Sequence, residues 1–129
     1  MTERDALDAF DAGLVTEVAG DRDIDPDRLA TLARTHQSNV RDLPGVDDIV
    51  YEWRTQFHQD PLLARTTAAY YLALPDHVWD EFTDDIGASD AERAALVALH
   101  GRQTRIDADG VGADTARLET SEPVVLTRP

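Results

Sequence analysis

Two aspartate-proline pairs, Asp25-Pro26 and Asp60-Pro61, constrain this chain more than any other feature. Proline lacks the N–H that a helix interior needs, and its fixed φ suits the first helical turn. Neither pair can therefore lie inside a helix, and each reads as a helix start with aspartate as N-cap. Leu43-Pro44-Gly45 and Pro75-Asp76 cut the chain again. Only short elements fit between these breaks, and they must bury their apolar faces against one another.

Apolar spacing fills the intervals with helices. Leu7, Phe10, Leu14 and Val18 predict a first helix over residues 3–19, which Asp-Arg-Asp-Ile-Asp interrupts. Leu29, Leu32, Ala33, His36, Val40 and Leu43 form the inward face of a second, opened by Pro26. Val46, Ile49, Val50, Trp53 and Phe57 mark a third. The segment PLLARTTAAYYLAL, residues 61–74, has no charge after Arg65 and is apolar or small on nearly every side, which predicts a central fourth helix. Val78, Trp79, Phe82 and Ile86 outline a fifth, closed by Gly87. Ser89 and Glu92 form a capping box for a sixth that carries Ala95, Leu96, Leu99, Gln103 and Ile106. DADGVGAD then reads as a linker, and the run Val124-Val125-Leu126-Thr127 as a single strand or part of a short hairpin. The expected fold is all-α: a compact, bundle-like domain of five or six short helices over residues 1–106, with an extended C-terminal tail over 107–129.

A chain of 129 residues buries about two-thirds of its unfolded surface in one core. Cysteine is absent, which excludes disulfides, Cys-based zinc sites and a thiol nucleophile. Nineteen Asp and seven Glu stand against twelve Arg and no Lys, for a net charge of −14. A lysine-free excess of short carboxylates resembles the cytosolic proteins of haloarchaea, which work in molar salt. At about 1 M salt the Debye length is roughly 3 Å, so self-repulsion is largely screened. The aspartates therefore read as a surface coat, not as a docking face. The run from LPGVDDIVYEWR through AYYLALPDHVWDEF is also similar to short haloarchaeal proteins grouped as a domain of unknown function. That resemblance spans residues 25–106 and implies no activity. MTERDALDAF lacks a basic region followed by an apolar core, and TTAAYYLAL is far shorter than the roughly 18 residues of a membrane span, so a cytoplasmic location without membrane contact is expected.

Motifs for chemistry are fragmentary. RDLPGVDDIV resembles half of a phosphate-binding helix-hairpin-helix turn, but Asp47 replaces the second glycine and Asp48 comes next, so a helix junction is the better reading. Residues 76–105 approach helix-turn-helix spacing, with Arg93, Arg102 and Arg105 as candidate phosphate contacts. Acids at the start of the presumed reading helix, and the salt sensitivity of phosphate contacts, argue against nucleic acid. His36, His58, His77 and His100 are scattered, and His77 with Glu81 supplies only two possible ligands, so no metal or cofactor is expected. Asp107-Ala-Asp109-Gly110 looks like the opening of a calcium loop, but position 118 is Leu and Glu119 comes one late. No nucleophile elbow, phosphate loop or dinucleotide fingerprint is present.

What remains is an aromatic concentration, with seven of eight Phe, Trp and Tyr between residues 51 and 82. The leading expectation is a non-catalytic interaction or accessory module that binds a protein partner or a second copy of itself. Its candidate contacts are Tyr51, Tyr70 and Tyr71, with Val124, Val125 and Leu126 adding a strand to a partner's sheet. One alternative is a transcriptional regulator using residues 76–105. Another is a ligand binder or enzyme with a pocket lined by Tyr70, Tyr71, His77 and Trp79.

Overall fold

A computed structural model describes residues 4–42, 45–57, 59–111 and 115–129, with backbone alone for 109–111. The described residues form helices α1 (Ala12–Asp21), α2 (Pro26–Asp42) and α3 (Val46–Gln56), then strands β1 (Leu62–Arg65) and β2 (Ala69–Leu74). Helices α4 (Asp76–Ile86) and α5 (Asp90–Val111) come next, then a 3-10 turn (Thr115–Glu119) and strand β3 (Glu122–Thr127). The three strands make one antiparallel sheet in the order β1-β2-β3.

The all-α expectation is overturned at residues 61–74, which form a β-hairpin and not a central helix. β2 is buried along its whole length. A strand covered on both faces presents an unbroken apolar run, without the alternation that would separate it from a buried helix. The turn is set by Thr66, whose Oγ1 accepts the N–H groups of Ala68 at 3.1 Å and Ala69 at 3.0 Å. Asp60 also departs from its expected role: its Oδ1 accepts the Leu62 N–H at 3.0 Å and leads the chain into a strand. Asp25 does cap a helix, through the Asp27 N–H at 2.8 Å.

Two other boundaries move. The first helix starts at Ala12 and not near residue 3, because Asp5 Oδ1 accepts the Leu7 N–H at 2.9 Å and the residues after it close turns of the i to i+3 kind. α5 runs on to Val111, so the opening of the expected linker, including Asp107-Ala-Asp109-Gly110, is helical and not an ion-binding loop. The rest of that linker, and Leu43-Pro44 of the helix junction, lie outside the described residues. Gly87 ends α4 in the left-handed region at φ 67°, and Ser89 and Glu92 exchange the two hydrogen bonds of a capping box.

β3 is part of the core: Val124, Val125 and Leu126 are fully buried. As a sheet edge it should present bare backbone groups to water or to a partner. Instead, side chains from three helices occupy them. Trp79 Nε1–H on α4 donates to Pro123 O at 3.1 Å, and His100 Nδ1 on α5 accepts the Val125 N–H at 2.9 Å. On α2, the Gln37 amide donates to Val125 O at 2.7 Å and accepts the Thr127 N–H at 2.8 Å. Helix α5 comes close enough for this because residue 101 is glycine: a Cβ there would stand 3.3 Å from Pro123 Cγ.

Candidate functional site

The four residues of the expected pocket do not converge. Tyr70 and Tyr71 are neighbours on β2 and point to opposite faces of the sheet. The Tyr70 hydroxyl donates to Asp47 on α3 at 2.5 Å, and the Tyr71 hydroxyl donates to Asp107 on α5 at 2.6 Å. Burial, reinforced by the carboxylate partner, raises both phenols above their ordinary pKa. Gln103 ties Asp107 to the start of α1, donating to Asp107 at 3.1 Å and accepting the Asp11 N–H at 3.0 Å. These tyrosines are bolts between the sheet and its covering helices. His77 is exposed, whereas Trp79 is fully buried.

Of the candidate contacts for a partner, Tyr51 on α3 is 71% exposed. Tyr70, Tyr71, Val124, Val125 and Leu126 are buried, and the edge of β3 that a partner strand would join is occupied by Trp79, His100 and Gln37.

The three arginines do not form one basic face. Arg93 pairs with Asp80 on α4, while Arg102 pairs with Asp21 on α1 at 2.8 Å. Arg93 and Arg105 border an open groove of about 430 Å³ that Asp76, Asp90 and Glu122 also line, a surface of mixed sign. Helix α5, which would have to enter a DNA groove, is instead packed against β3, α1 and α2.

The feature that does look like a site lies between α2, α3 and α4. A cavity of about 170 Å³ is walled by Val40, Ile49, Trp53, Phe82 and Ile86, with His36 also in its lining. Asn39, Glu81 and Asp85, all exposed, form its mouth. His36 is 1% exposed and sits in an aromatic cluster, with ring centroids 4.3 Å from Phe82, 5.4 Å from Trp79 and 5.5 Å from His100. Neither of its ring nitrogens has a hydrogen-bond partner among the described residues. Burial lowers its pKa from 6.5 to about 4, so at neutral pH it is an uncharged imidazole with one donor and one acceptor. His100 is held well below its ordinary pKa by burial and then by His36. Because its Nδ1 accepts from Val125, the neutral ring carries its proton on Nε2.

The sequence offered one signal for this site, a histidine within the apolar stripe of α2, between Ala33 and Val40. Nothing in it brought Glu81 and Asp85 to the same place as His36, because that requires α4 to lie across α2. His58 lies outside the described residues. Among the described residues, no three histidine or carboxylate side chains group as a metal site, and no helix is long and apolar enough to cross a membrane.

No curated protein and no solved structure matches the chain. A family model does match, over residues 8–128: the chain belongs to the family described as Domain of unknown function (DUF8048).

Proposed function

We propose that this domain is a small-ligand-binding module whose site is the cavity between α2, α3 and α4, with His36 meeting a polar group of the ligand. The supporting observation is the buried His36 imidazole, which has no hydrogen-bond partner among the described residues and lines the cavity. An unsatisfied buried polar group costs about 1–3 kcal/mol, and such a group in a folded protein calls for a reason. A ligand that brings a hydroxyl against His36 supplies one. This reading replaces the tyrosine-lined pocket, and it competes with docking of a protein partner through the exposed Tyr51.

The test is an amide-shift titration by NMR with 4-ethylphenol and with ethylbenzene, which differ by one hydroxyl. The phenol should saturate shifts in α2, α3 and α4, and the hydrocarbon should bind about tenfold more weakly, the worth of one hydrogen bond. In His36→Leu the two should bind equally. Shifts scattered over the surface, or confined to the neighbourhood of Tyr51, would remove the cavity as the site.

We infer also that the working medium is concentrated salt. Every described aspartate except Asp107 is exposed, as a surface coat requires. The melting temperature should rise by about 5–10 °C between about 0.1 and 2 M KCl as repulsion among the carboxylates is screened. Best folding in salt-free buffer would contradict this.

A further inference from the structure

We propose that the cavity selects an organic cation: a one-ring body carrying an ammonium group, with the charge held at the mouth by Glu81 and Asp85. The inference rests on the cavity being the site and adds the sign and size of its ligand. Glu81 and Asp85 stand four residues apart on α4 and so share a helix face. Asn39, across the mouth on α2, adds an amide oxygen, and no Lys or Arg lines the cavity. Neither carboxylate has an ion-pair partner among the described residues, whereas Asp80, one residue before Glu81, is matched by Arg93. Two acids without a cation would not make a site by themselves. Here they border a partly open, largely apolar pocket whose lining includes His36, a buried imidazole with no hydrogen-bond partner among the described residues.

The walls agree with a cationic ligand. Trp53 and Phe82 present aromatic rings, whose faces attract a nearby ammonium. His36 is neutral at physiological pH and does not oppose a positive charge. A volume near 170 Å³ matches a single six-membered ring, since an apolar cavity of about 150 Å³ accepts benzene. The ligand therefore lies with a polar group on His36, its ring against the apolar walls and its ammonium between the carboxylates. Because Glu81 and Asp85 are exposed, the charge preference should be greatest at low salt and shrink as salt rises.

Calorimetric titration of the full chain with three probes tests the charge: tyramine, 4-ethylphenol and 3-(4-hydroxyphenyl)propionate. They share a phenol and differ in carrying a positive, no or a negative charge. Tyramine should bind about tenfold more tightly than 4-ethylphenol, and the propionate at least about tenfold more weakly. The double variant Glu81→Gln/Asp85→Asn should bring tyramine to the affinity of 4-ethylphenol while leaving 4-ethylphenol unchanged. If 4-ethylphenol and tyramine bind equally to the wild type at α2, α3 and α4, the cation inference is overturned and the cavity reading stands. Equal loss of both probes in the double variant overturns it too, since the carboxylates would then act on the fold and not on the charge. If no probe binds at these helices, the cavity reading itself fails and the cation inference with it.

Discussion

Gln37→Leu should lower the stability of the domain by about 4 kcal/mol, close to the whole margin of a weakly stable fold. The glutamine is 2% exposed and satisfies two backbone groups at once, Val125 O and the Thr127 N–H. Leucine fills nearly the same volume but satisfies neither. Each buried backbone group left without a partner costs about 1–3 kcal/mol, and for a chain of this length the sum corresponds to a fall in melting temperature of about 12–20 °C. Gln56→Leu, at the exposed end of α3, is the control and should stay within about 0.5 kcal/mol of wild type. Thermal unfolding followed by circular dichroism compares the two directly. In amide exchange, the variant should lose protection first at Thr127, since that N–H faces the helices and not β2. If Gln37→Leu melts within a few degrees of wild type, the edge of β3 is not sealed by this side chain. Association through that edge would then return as a route for the domain.

The importance of that edge explains which parts of the fold were legible from sequence. Helices with a local start signal could be read directly: α2 from Asp25-Pro26 and its Leu29-Leu32-Ala33 stripe, and the opening of α5, though not its end, from the Ser89–Glu92 box. These signals are local, and local physics decides them. The hairpin could not be read, because β2 is buried on both faces by helices distant in sequence, and its strand character lies in pairing with β1 and β3. The two Asp-Pro pairs illustrate the limit. Each aspartate accepts a backbone N–H two residues on, from Asp27 or from Leu62, but the chain continues as a helix in one case and a strand in the other. The dipeptide fixes a turn, and the rest of the molecule chooses the element that the turn opens. The candidate site lies further still from local signals. The tyrosines stood out by residue type and proved to be structural ties to Asp47 and Asp107, while His36 stood inconspicuously on a core stripe.

Two buried imidazoles also make the domain sensitive to mild acid. In the unfolded chain a histidine titrates near 6.5, and in the folded protein burial depresses His36 to about 4 and His100 in the same direction. Below pH 6.5 the unfolded chain therefore binds protons that the folded chain refuses. The stability that neutral burial contributes is complete above pH 6.5 and is lost as pH falls toward 4. From pH 7 to pH 5 the His36 shift alone should remove about 2 kcal/mol, and His100 adds to the loss in the same direction. Urea unfolding across this window isolates the effect, because the ordinary titration of carboxylates begins lower. His36→Leu is the decisive variant. It removes one of the two titrating groups and an unsatisfied buried ring together, so it should be more stable than wild type at pH 7 by about 1–2 kcal/mol and lose less on acidification, by about the 2 kcal/mol that His36 contributes. His100→Leu should differ, because it strands the Val125 N–H, and should destabilise at every pH. A gain in stability on losing His36, together with loss of preference for a hydroxylated ligand, is what a residue kept for binding at the expense of folding produces. An acid slope unchanged in His36→Leu would mean that the imidazole reaches solvent in the folded state, and the basis for assigning it to the ligand would be gone.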